Sequence, residues 1–220
     1  MKLKRFLRAN FKGFESFAIM VANVWFSKRL KGKFDLINFG LFDKNDSHDT
    51  KWIWWSRIYE YPWVIETIKE TGLHDSTEIH NTSWGYSELH LDFKQELEGL
   101  ARTVINSDIN VSRCPNTFVY DITRKPPQLW KHRFNYVVNI STVEEIVGSH
   151  LKVIHNLLLM VKPGGHLLLT FDLPGLQLKS FQKLFGPLNV PKDPVNGCNS
   201  KVPIREFSYL NCGYLAIRRS

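Results

Sequence analysis

The chain reads as an α/β protein, a doubly wound and mostly parallel sheet closed by an antiparallel C-terminal hairpin edge. Three observations predict this. Helical and extended segments alternate from about residue 60 onward, as in parallel sheets built from strand-helix-strand units. The run HLLLTFD at His166 to Asp172 is almost continuously apolar, the pattern of a strand buried on both faces. Glu206 to Ile217 (EFSYLNCGYLAI) reads as two extended pieces with a turn near Asn211 to Gly213.

The first helix of the alternating region spans Pro62 to Thr71, with proline at a tolerated early position, Ile65 and Ile68 on one face and Gly72 as its stop. A strand follows at Thr77 to Asn81. The turn TSWG then opens a helix whose stripe is Leu89, Phe93, Leu97 and Leu100. Three extended segments come next, at Thr103 to Ile109, Thr117 to Ile122 and Phe134 to Ile140. Leu151, Ile154, Leu158 and Val161 mark a helix over Ser149 to Val161, ended by Lys162-Pro163-Gly164-Gly165 before the apolar strand. The segment 173–203, rich in Pro, Gly, Lys and Asn, reads as an insertion able to form a lid.

With 220 residues, 43% of them hydrophobic, the chain can bury one substantial core. The division expected is a basic, aromatic, helical extension over 1–58 and the main domain over 59–220. The 29 Lys and Arg outnumber the 21 Asp and Glu. Much of the excess is N-terminal, where Lys2, Lys4, Arg5, Arg8, Lys12, Lys28, Arg29, Lys31 and Lys33 face only Glu15. That segment reads as amphipathic helix packed on the domain, with weak contact of its basic face to an anionic membrane surface. The apolar stretch Phe17 to Phe26 is far shorter than the ~20 residues of a membrane span. Cys114, Cys198 and Cys212 are widely spaced and form no CxxC pair, which fits a reducing, cytoplasmic setting without a disulfide framework or structural zinc.

In doubly wound sheets ligands lie beyond the carboxyl ends of the strands. The strand ends here carry Asn81-Thr82-Ser83-Trp84-Gly85, Asp108, Asp121-Ile122, Asn139-Ile140-Ser141 and Asp172. Acids and amides in that row can grip a ribose, an amine and an amino-acid moiety; strand-end Asp and Asn also serve as helix and turn caps. The order of elements, the KPGG turn before a strand ending in Asp172, and FNYVVNISTVEEI resemble the class I S-adenosylmethionine-dependent methyltransferases over residues 60–217, a Rossmann-like family. Its acid-x-Gly-x-Gly motif maps onto Asn81 to Gly85, with Asn for the acid, Ser83 for one glycine and Gly85 retained. The resemblance implies S-adenosylmethionine as cofactor, with Asn81, Thr82, Ser83 and Gly85 around its amino-acid end. Asp108 would hold the ribose hydroxyls, Asp121 the adenine amine and Ile122 the adenine ring, while Asn139, Ile140 and Ser141 would line the methionine portion.

The stretch SRIYEYPW (56–63) resembles one found before the first strand of bacterial-type methyltransferases that modify sugars and cell-surface glycans. It implies Arg57 against the methionine carboxylate, Tyr61 or Tyr59 over the sulfonium, and an acceptor that is a sugar hydroxyl; Trp52, Trp54 and Trp55 are candidates to stack on the sugar. A sugar hydroxyl needs a base, for which Glu144 and Asp172 are the candidates. Related quinone methyltransferases pair Glu with His and use a divalent metal; Glu145 stands in place of that His, so a divalent metal stays open as a cofactor while no ligand is assigned to it. Two other readings compete with the glycan O-methyltransferase. An RNA methyltransferase is suggested by the basic balance, although no base-amine motif or RNA-binding module is present. The third is a non-catalytic protein that keeps the fold.

Overall fold

The computed structural model describes residues 2–42, 56–83, 91–110, 116–173, 175–188, 201–202 and 210–220. The elements in chain order are α1 (Lys2–Leu30), β1 (Phe34–Leu41), α2 (Arg57–Thr71), β2 (Glu78–Thr82), α3 (Leu91–Leu100), β3 (Thr103–Asp108), β4 (Thr117–Val119), β5 (Phe134–Asn139), α4 (His150–Leu158), β6 (Val161–Asp172), α5 (Leu178–Phe185), β7 (Lys201–Val202) and β8 (Leu210–Arg219).

The strands lie in the order β1-β8-β6-β5-β2-β3-β4, with β7 pairing β8. Strands β6, β5, β2, β3 and β4 are mutually parallel, and β8 runs antiparallel between β6 and β1. The expected doubly wound, mostly parallel α/β sheet with an antiparallel edge is therefore observed. Chain direction across the sheet reverses between β2 and β5, which makes their carboxyl ends the switch point.

Both faces are covered. Helices α2 and α3 pack Tyr61, Val64, Ile68, Phe93 and Leu97 against Ile79, Val138 and Leu168 of the sheet. On the other face Leu30 of α1, Leu151, Ile154 and Leu158 of α4, and Phe181 of α5 meet Val137, Leu167, Leu169 and Leu215. The alternation of Leu167, Leu168 and Leu169 between the two cores is the pleat expected of a doubly buried strand.

Several local readings are revised. Helix α2 begins at Arg57, so Pro62 is interior, where it withholds the bond that the Ile58 carbonyl would accept. Segment Lys162 to Gly165 is no simple helix stop. It is an excursion within β6, since Phe134 pairs with Val161 but Tyr136 already pairs with His166. Gly164 there has φ +77°, and a Cβ on Gly165 would sit 2.6 Å from the Asn135 carbonyl oxygen. Asn211 to Gly213 is no turn either; it lies inside the continuous strand β8. Gly213 is needed for close approach instead: a Cβ there would lie 2.7 Å from the Gly40 carbonyl oxygen and 2.8 Å from the Phe171 ring. Residues 34–41 of the N-terminal segment form β1, an edge strand that helix-centred reading of residues 1–58 did not anticipate.

Candidate active site

The central strands end in buried polar side chains, set by register. Asn81 lies opposite Asn106, and Thr82 lies between Ser107 and Asn139. Asn81 Nδ2 donates to Asn106 Oδ1 at 3.0 Å. Thr82 Oγ1 donates to the Val138 carbonyl at 2.8 Å and accepts from Asn139 Nδ2 at 3.1 Å. Two acceptors are left over: among the described residues Asn81 Oδ1 and Asn139 Oδ1 are buried and have no hydrogen-bond partner. Each such orphan costs about 1–3 kcal/mol, a cost that a ligand donor would offset. Behind this row, His80 Nε2 contacts Ser107 Oγ at 2.8 Å. Burial, aided by the Arg133 charge, lowers the His80 pKa to about 3 and keeps the ring neutral.

Two serines flank the switch point in the left-handed region, Ser83 at φ 54° after β2 and Ser141 at φ 39° after β5. Such backbone costs about 1–3 kcal/mol in a residue with a Cβ and clusters at functional sites. The Ser83 N–H donates to the Ser107 carbonyl at 2.7 Å, and the Ser141 N–H to the Thr170 carbonyl at 3.1 Å, so each kink is pinned to the next strand.

On the β5–β6 side a carboxylate that the sequence reading did not assign organises the site. Glu60, fully buried on α2, accepts hydrogen bonds from Ser56 Oγ at 2.7 Å and from Ser141 Oγ, and pairs with Arg57. Desolvation pushes its pKa up, but Arg57 and the hydroxyls of Ser141, Thr170 and Ser56 outweigh it, and the net shift is downward. Glu60 thus stays ionised and ties the start of α2 to the ends of β5 and β6. The signal was in the sequence: Arg57 and Glu60 stand three apart after Ser56, within the SRIYEYPW stretch. Burial disfavours the charged form of Arg57, yet Glu60, Tyr61 and Asp172 hold its pKa above the ordinary value.

Glu144 sits in the 3-10 turn Val143–Glu145 after β5. Its Oε1 accepts the Asp172 backbone N–H at 2.8 Å, and its Oε2 is buried without a partner among the described residues. Gly175 packs so closely over it that an added Cβ would lie 2.8 Å from Glu144 Cβ. Desolvation is the main reason its pKa rises to about 8; the charges of Asp172 and Glu60 add to the rise, while backbone N–H groups oppose it. The fold thus gathers Arg57, Ser141, Glu144 and Asp172 around Glu60, and places Asn81, Thr82, Ser83 and Asn139 beside them.

Asp108 ends β3 nearly buried, one carboxylate oxygen accepting the Asn110 N–H at 2.8 Å. The remaining candidates also hold structural contacts. Asp121 caps its own turn through the Thr123 N–H at 2.9 Å and Oγ1 at 2.6 Å, with Arg124 at 3.4 Å, and these bonds lower its pKa. Ile122 belongs to the α4 core, its carbonyl bound by Asn156 Nδ2 at 3.0 Å. Ile140 is likewise buried, in the α2–α3 core. Tyr61 stacks flat on Phe93 with ring centroids 4.0 Å apart, and Tyr59 packs with Phe42 and Cys212. Gly85, Trp84 and the tryptophans at 52, 54 and 55 lie outside the described residues. Among the described residues no group of three His, Cys, Asp or Glu could hold a metal ion.

No family model matches the chain, and no curated protein matches it. Solved structures do match. The methyltransferase CalH in complex with SAH is 12% identical over 73% of this chain, at a TM-score of 0.46. The chain spans 55% of CalH. A SAM-dependent methyltransferase from Aquifex aeolicus is 14% identical, covering 78% of this chain and 96% of its own at a TM-score of 0.46. One from Mesorhizobium loti is 11% identical, covering 72% and 98% at a TM-score of 0.48. Identities and scores this low leave the site to be read from its own side chains.

Proposed function

We propose that the chain binds S-adenosylmethionine across the carboxyl ends of β2, β3 and β5 and transfers its methyl group to a hydroxyl of a sugar in a glycan. The observation that carries the reading is the pair of buried, unpartnered acceptors at the switch point, Asn81 Oδ1 and Asn139 Oδ1, close to the end of β3 where Asp108 stands. The cofactor's ammonium and ribose hydroxyls are the kind of donors that this acceptor set fits. Asn81 and Asn139 would receive the amino-acid end, and Asp108 the ribose. Arg57 would complement the carboxylate.

The bound cofactor supplies a methyl group already activated by its sulfonium. The chain's task is then to align the acceptor, exclude water and take its proton. Glu144 suits the last role. Its pKa near 8 makes the ionised form a stronger base than an ordinary carboxylate, and its unpartnered oxygen is free to receive the hydroxyl proton. Asp172, whose backbone N–H holds the other Glu144 oxygen, is the second candidate. Glycan-directed chemistry rests on the resemblance of SRIYEYPW to a stretch of glycan-modifying methyltransferases; Glu60 and Arg57 of that stretch anchor the carboxylate cluster.

Calorimetric titration with S-adenosylmethionine and with its demethylated product, followed by a methyl-transfer screen over glycans and RNA, tests the proposal. Micromolar binding and transfer to a sugar are expected. A folded protein giving no heat would remove the cofactor site, and transfer to RNA alone would overturn the acceptor.

A further inference from the structure

Helix α1 has two contrasting sides. Its inner side is fixed to the domain: Leu30 and Phe26 join the core, and Asn23 donates to Gln177 at 3.1 Å and Ser180 at 3.0 Å. Away from those contacts Phe17, Met20, Val21, Val24 and Trp25 follow helical spacing, each 47–58% exposed, with Met20 and Val24 on the flank nearer α4 and α5. Together they present water with an apolar stripe of large side chains, the kind of patch that marks interaction sites. Lys28, Arg29, Lys31 and Lys33 are exposed where this stripe ends. The Arg29 guanidinium lies 3.8 Å from the centroid of the Trp25 ring. Beside the stripe a cavity of about 460 Å³ opens between α1, α4 and α5, with Met20, Val24 and Leu151 as apolar lining and Lys28, Lys31 and Lys183 around it.

We propose that this face docks on an anionic lipid bilayer, α1 lying in the plane of the interface with its stripe in the acyl boundary and its lysines on the headgroups. Charge decides the occupant. Residues 1–33 carry nine Lys and Arg against one Glu, so a second copy of the chain would bring like charges together, whereas an anionic bilayer neutralises them. RNA would satisfy the charge but leave the apolar stripe in water. A tryptophan beside an arginine at the stripe's end suits the boundary between chains and headgroups. No helix among the described residues is long and apolar enough to cross a membrane, so α1 would rest on the surface.

The test is co-sedimentation of the full chain with vesicles of phosphatidylcholine alone and of phosphatidylcholine mixed with phosphatidylserine. Binding to the mixed vesicles that weakens as salt rises, with little to the neutral ones, is expected. The double variant Val21→Glu with Val24→Glu should lower partitioning by about tenfold or more, because two buried-on-binding valines become charges. Lys28→Glu with Lys31→Glu, outside the core, should do the same through the electrostatic part and stands in if the valine variant fails to fold. Unchanged vesicle binding in both folded variants would overturn the proposal. So would a concentration-dependent dimer, seen by sedimentation velocity and abolished by the valine variant, with no lipid binding by the parent.

Discussion

Replacing Glu144 by glutamine should change how stability depends on pH. In the fold the carboxyl is nearly buried and titrates near 8, against about 4.5 for the unfolded chain. Between those values the native state holds a proton that the unfolded state has released. The Glu144 contribution is therefore fully present below about pH 4.5 and is lost as pH rises through 8. At about 1.4 kcal/mol per pKa unit, the loss reaches about 5 kcal/mol at its limit. Glutamine keeps the shape and an Oε1 acceptor for the Asp172 N–H, yet it cannot ionise. The assay is urea denaturation followed by circular dichroism at a series of pH values from about 5 to 8. The parent should lose stability steeply relative to Glu144→Gln over that window, the two profiles diverging by several kcal/mol at the alkaline end. Parallel profiles would show that the carboxyl is not held protonated by its surroundings, and the argument from desolvation would fail.

The same residue should govern turnover: methyl transfer by the parent should rise with pH toward a plateau above about 8, and Glu144→Gln should lower kcat by about 10²- to 10⁴-fold with cofactor affinity nearly unchanged. Arg57→Ala should destabilise the fold by about 3–5 kcal/mol, measured by urea midpoint, because Glu60 is left buried without its cation, and Arg57→Ala with Glu60→Gln should recover part of that loss. Asp108→Ala should weaken S-adenosylmethionine by about 1–3 kcal/mol in calorimetry while the thermal midpoint moves little. Ser83→Gly should raise stability by about 1 kcal/mol by relieving φ 54°, a gain that would be missing if the Ser83 side chain held the loop in place.

The sheet was legible because its strands are apolar runs bounded by clear breakers, as His166 to Asp172 and Phe134 to Asn139 show. The strand ends were legible for the same reason, since polarity at the end of such a run marks where chain leaves sheet. Gly213 misled because glycine signals a turn and close packing equally; only the positions of Gly40 and Phe171 distinguish the two. Glu60 was overlooked because sequence alone does not tell a solvated helix-start carboxylate from one enclosed by Ser56, Arg57, Ser141 and Thr170, which come from distant segments. Asp121, expected at a strand end, stands two residues beyond β4 and bonds to Thr123 in its own turn, a local contact that only the end of β4 at Val119 makes visible.

Strand β1 has a consequence for how the molecule comes to be folded. Its register joins Phe34 to Arg219 and Leu41 to Gly213, and Ser220 N–H closes on the Lys33 carbonyl at 3.2 Å. The rim of the sheet is thus completed by two strands that lie far apart in the sequence. During synthesis β1 cannot pair with β8 until residues 210–219 have left the ribosome, and pairings this far apart in sequence are the slowest to form. Until then both β1 and the outer edge of β6 present unpaired backbone groups. Newly made protein is accordingly most exposed to mispairing and aggregation in the interval before β8 arrives, and shortening β8 by a few residues should do more harm to yield than their number suggests.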